Sequence, residues 1–505
     1  MSHAEAGQES GLVLHSEDPL RPIACPLRKS IQPRWGTRLR AGPSPSGVLT
    51  LKRPFALGDI VDWRLCVGCG ACAYACPDGR VTLWDYASEG IRPAVTPGDC
   101  TGCSACVDVC PGLQTDFARN DNQMRPDGRT KEFEWHWGPV LAAWEGHAAD
   151  PEIRFKGSSG GVLTALSLYC IEKGGFHGVL QTGSDPANPI RNRTRLSRVR
   201  SDLLAATGSR YAPASVCNGL ALVEAAPAPC VVVGQPSEIA GLAKARALRP
   251  ALDSKVGLTL SFFCAGSPPT AATVALLISH GINPTCLEEL RYRGMGWPGH
   301  FAARAKGAAE PAVKLTYQDS WAFLQARRPW AVQMWPDGSG ELADISCGDP
   351  WYTEPDGANP GSSLVLARTK RGHETILKAM EAGYLELESA EDWKVEKSQA
   401  GLWQKKGSVW GRIAVLRALR IPTTRIQYAH LWRCWLALSL GEKLRSTLGT
   451  LRRVLKRRLY RPACLSASEA MPVAAAAPFE AIQPRDRPGG AGRRRDALGD
   501  GGPLG

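Results

Sequence analysis

Eight cysteines fall in two matching runs, Cys66-x-x-Cys69-x-x-Cys72-x-x-x-Cys76-Pro77 and Cys100-x-x-Cys103-x-x-Cys106-x-x-x-Cys110-Pro111. Thiolates at this spacing are ligands for a pair of 4Fe–4S cubes, each run giving three sulfurs to one cube and its fourth to the other. By that rule Cys66, Cys69, Cys72 and Cys110 hold one cube, and Cys100, Cys103, Cys106 and Cys76 hold the second. Small residues between the ligands (Gly68, Gly70, Ala71, Gly102, Ser104, Ala105) let the backbone wrap closely and aim N–H groups at sulfur. Zinc and disulfides are the alternatives. Zinc sites are built from paired C-x-x-C units and have no use for the third cysteine or the trailing proline, whereas here the full pattern occurs twice. One-electron transfer is therefore expected.

No Ser/His/Asp triad, carboxylate dyad or zinc motif accompanies these runs, and His177, His280 and His300 stand alone as structural residues. The other cysteines (Cys25, Cys170, Cys217, Cys230, Cys264, Cys286, Cys347, Cys434, Cys464) are scattered singly, unlike a secreted disulfide framework. Oxygen-sensitive clusters and unpaired thiols both suit a reducing cytoplasm. Met1–Gln32 is polar and has no apolar h-region, so no signal peptide is expected. No run approaches about 18 apolar residues, so no spanning helix is expected either. At 505 residues, 44% hydrophobic and 22% charged, the chain is that of a globular protein with more than one domain.

The elements that must position the cysteines follow from periodicity. Residues 1–58 read as a Pro/Gly-punctuated irregular leader, 59–118 as the cluster-binding module, and 118–131 as a polar linker. A helix is predicted from Val162, ending near Lys173-Gly174-Gly175 by the glycine stop rule. Strands are predicted at Gly178–Gln181, Cys230–Gly234 and Gly257–Cys264, with helices over Ser237–Arg246 and Ala271–Ser279. This alternation predicts an α/β core with a largely parallel sheet. From about residue 283 to 410, Trp- and Gly-rich turns suggest a mixed α/β lobe, and Ala-, Pro-, Gly- and Arg-rich sequence over 462–505 suggests a disordered tail.

The formal net charge of +13 is unevenly spread. Lys443, Arg445, Arg452, Arg453, Lys456, Arg457, Arg458 and Arg461 occur with no acidic residue among them, while Leu444, Leu448, Leu451, Leu455 and Leu459 recur at helical spacing. Residues 425–461 therefore read as a basic amphipathic helix. It is expected either to pack its leucines on the protein or to rest on anionic lipid or an acidic partner. No nucleic-acid motif accompanies the charge, and no nucleic-acid partner is expected.

Four segments resemble the coenzyme F-420 hydrogenase/dehydrogenase beta-subunit family. They are Gly157-Ser158-Ser159-Gly160-Gly161-Val162-Leu163-Thr164-Ala165-Leu166, Ala206-Thr207-Gly208-Ser209-Arg210-Tyr211, Gly234-Gln235-Pro236-Ser237-Glu238-Ile239-Ala240-Gly241-Leu242, and Gly340–Asp349 followed by Gly361-Ser362-Ser363 and Arg368-Thr369. The resemblance implies a ferredoxin-like two-cluster module, then an α/β flavin-binding core of N-terminal type (132–282) and a mixed α/β lobe of C-terminal type (283–410). It also implies FAD, held by Ser158, Ser159, Gly160, Gly161 and Thr164 together with Gly208, Ser209, Arg210 and Tyr211. The helix start offers unpaired N–H groups and a positive dipole end to a pyrophosphate, although a plain N-cap and tight turn would use the same residues. Arg210 would pair with phosphate and Tyr211 lie against a ring system. Asp344 and Asp349 either line the cleft or cap turns.

In the family a further 4Fe–4S cluster sits inside the flavin core. The matching positions here are Ser237, Cys264, Val332 and Trp335, so one ligand of four remains and that cluster is expected to be absent. Val332 and Trp335 are expected to fill its volume, and Cys264 to be a buried small hydrophobe.

The resemblance thus implies an FAD- and iron–sulfur-dependent oxidoreductase, cytoplasmic or associated with the inner membrane face. It would take electrons from a soluble carrier or a partner dehydrogenase subunit. Its small-molecule acceptor would be coenzyme F-420 or another unsaturated metabolite. The alternatives are a non-catalytic electron-transfer subunit of a larger dehydrogenase or hydrogenase complex, and an interaction protein from a degenerate enzyme branch.

Overall fold

Valine-rich strands that are buried along their length need cover on both faces, and Cys230–Gly234, whose Cys230, Val231 and Val232 are fully buried, is such a strand. The computed structural model describes residues 55–96, 100, 102–118, 130–354 and 359–478. Most of the expected leader, the core of the linker and the end of the expected tail lie outside the described residues. Cys230–Gly234 sits next to the central strand of a nine-stranded sheet. Its order is Leu385–Ser389, Ala142–Ala148, Ser363–Ala367, Ile345–Gly348, Val256–Phe262, Cys230–Gly234, Val179–Asp185, Asn188–Ser197, Ala477–Pro478.

The sheet is mixed, not largely parallel. The four strands from Ile345–Gly348 to Val179–Asp185 run parallel, and the neighbours on both sides join antiparallel. Helices Val162–Glu172 and Pro236–Leu248 cover it. Strands of the expected C-terminal lobe complete this same sheet, so a boundary at 282/283 falls within one core. Only the stretch around 270–325 stands apart. There a three-stranded antiparallel sheet (Leu287–Arg291, His300–Ala305, Val313–Thr316) packs with helices Thr270–Ile278 and Tyr317–Gln325.

The cysteine module comprises helices Leu57–Asp62, Ala71–Ala75 and Ala105–Asp108, a hairpin Val81–Tyr86/Gly90–Val95, and a strand Gln114–Asp116. Later segments clasp it. Ala470–Pro472 adds a third strand to the hairpin, Arg425–Gln427 pairs parallel with Gln114–Asp116, and Arg191 donates to the Met471 and Pro472 carbonyls. The expectation of disorder from residue 462 is thus corrected for 462–478, where backbone pairing with the module substitutes for an apolar core.

The expected single helix over 425–461 is also corrected. Ser439 and Glu442 form a capping box that starts a new helix, Leu440–Lys456, after the separate helix Leu431–Ala437. Its leucines do not pack inward. Ser446, Thr450 and Val454 make the buried face against helix Ala400–Ala418, and a Cβ at Gly411 would collide with Ser446 Oγ. The helices approach too closely for leucine between them.

Candidate redox site

The two sets of thiols differ sharply in exposure. Cys66, Cys69, Cys72 and Cys110 are buried, Cys76 and Cys106 half-buried, and Cys100 and Cys103 exposed. Burial pushes the Cys72 thiol up, and its neighbours Cys69, Cys66, Cys110 and lastly Cys106 add to the effect. Cys106 is raised by burial and then by Cys103, Cys76 and Cys100. Thiolates buried this way are costly unless cationic iron offsets them, and Arg80 adds donors, its N–H lying 3.3 Å from Cys76 Sγ and its Nη1 4.0 Å from Cys100 Sγ. Among the described residues no three His, Cys, Asp or Glu side chains converge on a single ion.

The buried set is joined to the core. Cys217 N–H donates to the Cys69 carbonyl (3.1 Å). A Cβ on Gly241 would stand 2.9 Å from Cys69 Sγ, and Lys244 Nζ donates to the Gln114 carbonyl (3.0 Å). Between the cysteines of this set, Val67 and Gly68 form one wall of a narrow cleft, partly open to solvent. The facing wall is Gln235, Ser237 and Cys264, at the carboxyl ends of the parallel strands Cys230–Gly234 and Val256–Phe262, where ligands of open α/β sheets bind. Val332, Trp335 and Lys405 complete it.

Ser237, Cys264, Val332 and Trp335 converge on the cleft, where Trp335 is buried and Val332 packs tightly against Gly266. Cys264 is not a buried hydrophobe but a half-buried thiol, accepting from Gly266 N–H (3.3 Å) and 3.7 Å from Gln235 Oε1. Two titratable groups near the cleft are tuned toward neutrality. Burial, then Arg328, brings Lys405 down to about 7, and burial raises Glu238 to about 7. Trp335 Nε1 is buried without a partner among the described residues.

The predicted flavin residues come together in a second region. Gly161, with φ +76°, caps helix Val162–Glu172. Ser209 N–H donates to Ser158 Oγ (2.5 Å), Thr164 and Thr207 hydroxyls lie 3.3 Å apart, and Gly160 N–H donates to Ser363 Oγ (2.9 Å). Segment 208–214 runs from this cluster to the cleft, where Pro213 and Ala214 form part of the lining.

Arg210 is a correction. It is half-buried and gives its donors to Asn192 Oδ1 (2.9 Å) and to the carbonyls of Leu290 (2.7 Å), Pro189 (2.6 Å) and Arg191 (3.1 Å), which makes it a staple between strands and not a phosphate ligand. Tyr211 packs against Trp321, with centroids 4.8 Å apart, and against Tyr292. The guanidinium that does face the Ser158 loop is Arg293, which sequence reasoning missed. It makes a bidentate pair with Asp349 (2.7 and 3.0 Å), donates to the Ser158 carbonyl, and lies 4.7 Å over Tyr317 and 5.3 Å over Trp351. Asp344 is a capping group, binding Thr259, Thr369 and Arg371.

Three domain families match in order. Residues 65–112 match the 4Fe-4S dicluster domain, residues 143–221 the coenzyme F420 hydrogenase/dehydrogenase beta subunit N-term, and residues 229–392 the corresponding C terminus. The coenzyme F420 hydrogenase subunit beta of Methanococcus voltae is 25% identical over 298 residues, 57% of this chain and 98% of the relative. The coenzyme F420-dependent sulfite reductase of Methanocaldococcus jannaschii is 24% identical over 332 residues, 63% of this chain and 46% of that protein. A chain of the F420-reducing [NiFe] hydrogenase complex from Methanosarcina barkeri superposes with a TM-score of 0.40 at 22% identity, covering 50% of this chain and 83% of that one. This chain thus carries, in order behind an iron–sulfur dicluster domain, both domains of the coenzyme F420 hydrogenase/dehydrogenase beta-subunit family.

Proposed function

We propose that this protein is an iron–sulfur flavoprotein that carries electrons from a surface docking point to a small molecule in the cleft. One observation supports the route above others: the Cys66–Cys69 loop is itself a wall of the cleft, while Cys100 and Cys103 of the other set are exposed. Cys66, Cys69, Cys72 and Cys110 would hold the inner 4Fe–4S cube and Cys76, Cys100, Cys103 and Cys106 the outer one. Two cubes exchange single electrons at low potential.

FAD fits the second region. The first-turn amides of helix Val162–Glu172, the hydroxyls of Ser158 and Thr164 and the amide of Gly208 would serve a pyrophosphate, while Ser159, Thr207 and the Ser209 amide brace the loop by donating to Ser362, Leu203 and Ser158. The ring system would lie toward the cleft end of segment 208–214, on the side of Val67 and Gly68. When bound, FAD supplies the exchange between single electrons and a hydride. The chain's own part is positioning and proton control. Arg293 and Asp349 hold the Ser158 loop, the Val67–Gly68 wall keeps the inner thiols from bulk water, and Lys405 holds a proton at Nζ near neutrality. The acceptor we assign is a deazaflavin of the coenzyme F420 type or another unsaturated metabolite.

The second reading is a subunit that passes electrons within a larger dehydrogenase or hydrogenase. It is favoured by relatives named as hydrogenase subunits and matched over 98% of their length. Anaerobic purification with flavin extraction, followed by turnover of the isolated chain with dithionite and coenzyme F420, tests both. Stoichiometric FAD with deazaflavin reduction supports the enzyme. FAD without turnover leaves the subunit reading standing, and flavin-free protein with full iron sinks both.

A further inference from the structure

Helices Leu431–Ala437 and Leu440–Lys456 lie beyond the matched family domains, and neither contributes a residue to the thiol sets or the cleft. The longer one carries Leu440, Leu444, Leu448, Leu451 and Leu455, spaced four, four, three and four residues apart, which aligns them on one stripe. All five are exposed, from 40% for Leu451 to 74% for Leu440, and the preceding helix adds exposed Trp432 and Leu436. A stripe of leucines open to water is unfavourable unless something covers it. Its flank is basic. Arg445, Arg452, Lys456 and Arg457 are exposed and form no ion pair among the described residues, and the helix's one acid, Glu442, is engaged in capping Ser439.

We infer that this face docks on an anionic membrane surface, its leucines set among the acyl chains and its arginines and lysines against the phosphates. Charge decides between the possible occupants. A second copy would bring the same basic rim against itself, like charge on like, in an isologous contact. An anionic bilayer complements both the apolar stripe and its flank, in the manner of a helix lying in the interface. Tryptophan also favours that boundary, and Trp432 stacks on Trp435 at 5.3 Å beside the stripe. Among the described residues no helix is long and apolar enough to cross a membrane, so the contact is peripheral. The far end of the helix is tied to the cysteine module, because Arg64 Nη1 donates to the Arg461 carbonyl (2.9 Å) and Ala463 N–H to the Asp62 carbonyl (2.6 Å). Docking would thus seat the redox module beside the bilayer.

Flotation of the full iron-loaded chain with vesicles of phosphatidylcholine mixed with phosphatidylglycerol, against vesicles of phosphatidylcholine alone, tests this. The chain should float with the mixed vesicles and not with the neutral ones, and raised salt should release it. Leu448→Asp with Leu455→Asp, and separately Arg445→Glu with Arg452→Glu and Lys456→Glu, should each weaken binding by about tenfold or more. All five positions are exposed, and unchanged iron content checks that the variants fold. Equal partition into both vesicles, or flotation that neither set of substitutions alters, would overturn the proposal. So would a dimer in solution that the leucine substitutions dissolve, since the stripe would then belong to a second copy.

Discussion

Gly241 marks the closest approach between helix Pro236–Leu248 and the inner thiols. In Gly241→Ala the new methyl would stand 2.9 Å from Cys69 Sγ and 3.4 Å from Ala71 Cβ, so the helix must retreat or the sulfur must move. A loss of about 1–3 kcal/mol is expected, together with reduced iron per chain measured on the purified variant. Lys406 and Glu341 form a pair 2.7 Å apart with side chains 2% and 5% exposed. Lys406→Met leaves a carboxylate buried alone and should cost about 3–5 kcal/mol in denaturant unfolding. Lys405 behaves differently. Burial and Arg328 hold its pKa at about 7, below the roughly 10.4 of a free lysine. Between those values the unfolded chain binds more protons, so stability climbs with pH there and the contribution is lost as pH falls through about 7. Lys405→Met should flatten that climb, and an unaltered slope of unfolding midpoint against pH would refute the assignment. The dicluster domain matched by residues 65–112 was legible because the cysteine spacing that marks it is local. Arg210 was misread because the carbonyls it staples, Pro189, Arg191 and Leu290, are brought to it by the fold alone. Arg293 escaped notice for the same reason, its partner Asp349 lying 56 residues on.

At the scale of elements, local pattern carries far. The strand Cys230–Gly234 has the bounds its valines predict, and the helices expected over Ser237–Arg246 and Ala271–Ser279 occur as Pro236–Leu248 and Thr270–Ile278. What local pattern lacks is the partner. Nothing in Ser363–Ala367 says that it will sit antiparallel between Ala142–Ala148 and Ile345–Gly348. Hydrophobicity likewise left open which face of helix Leu440–Lys456 packs on the protein, and the buried side proves to use small residues where it meets Gly411. Ser446→Leu should therefore destabilise by about 1–3 kcal/mol through overpacking. Leu448→Ser, on the exposed stripe, should stay within about 0.5 kcal/mol of wild type in the same denaturant titration. If the two effects are reversed, the helix is rotated relative to this structure.

Over the whole molecule, the thiol sets are graded from solvent inward: Cys100 and Cys103 exposed, Cys76 and Cys106 half-buried, and Cys66, Cys69, Cys72 and Cys110 enclosed against the core. A protein carrier, too large to enter the cleft, has access at the outer set alone, whereas a small chemical reductant can approach the cleft through its open side. The two routes separate on a single substitution. Cys103→Ala removes an exposed thiol of the outer set while leaving the inner set, the Val67–Gly68 wall and the packing around Gly241 intact. Iron should fall from about eight per chain to about four, as one of two cubes is lost. Reduction of the cleft's occupant by reduced ferredoxin should stop, while reduction by dithionite should persist, both followed anaerobically by absorbance. Carrier-driven reduction at the wild-type rate in a chain with half its iron would mean that electrons enter at the cleft directly, and the inward gradient of burial would then have no part in the path.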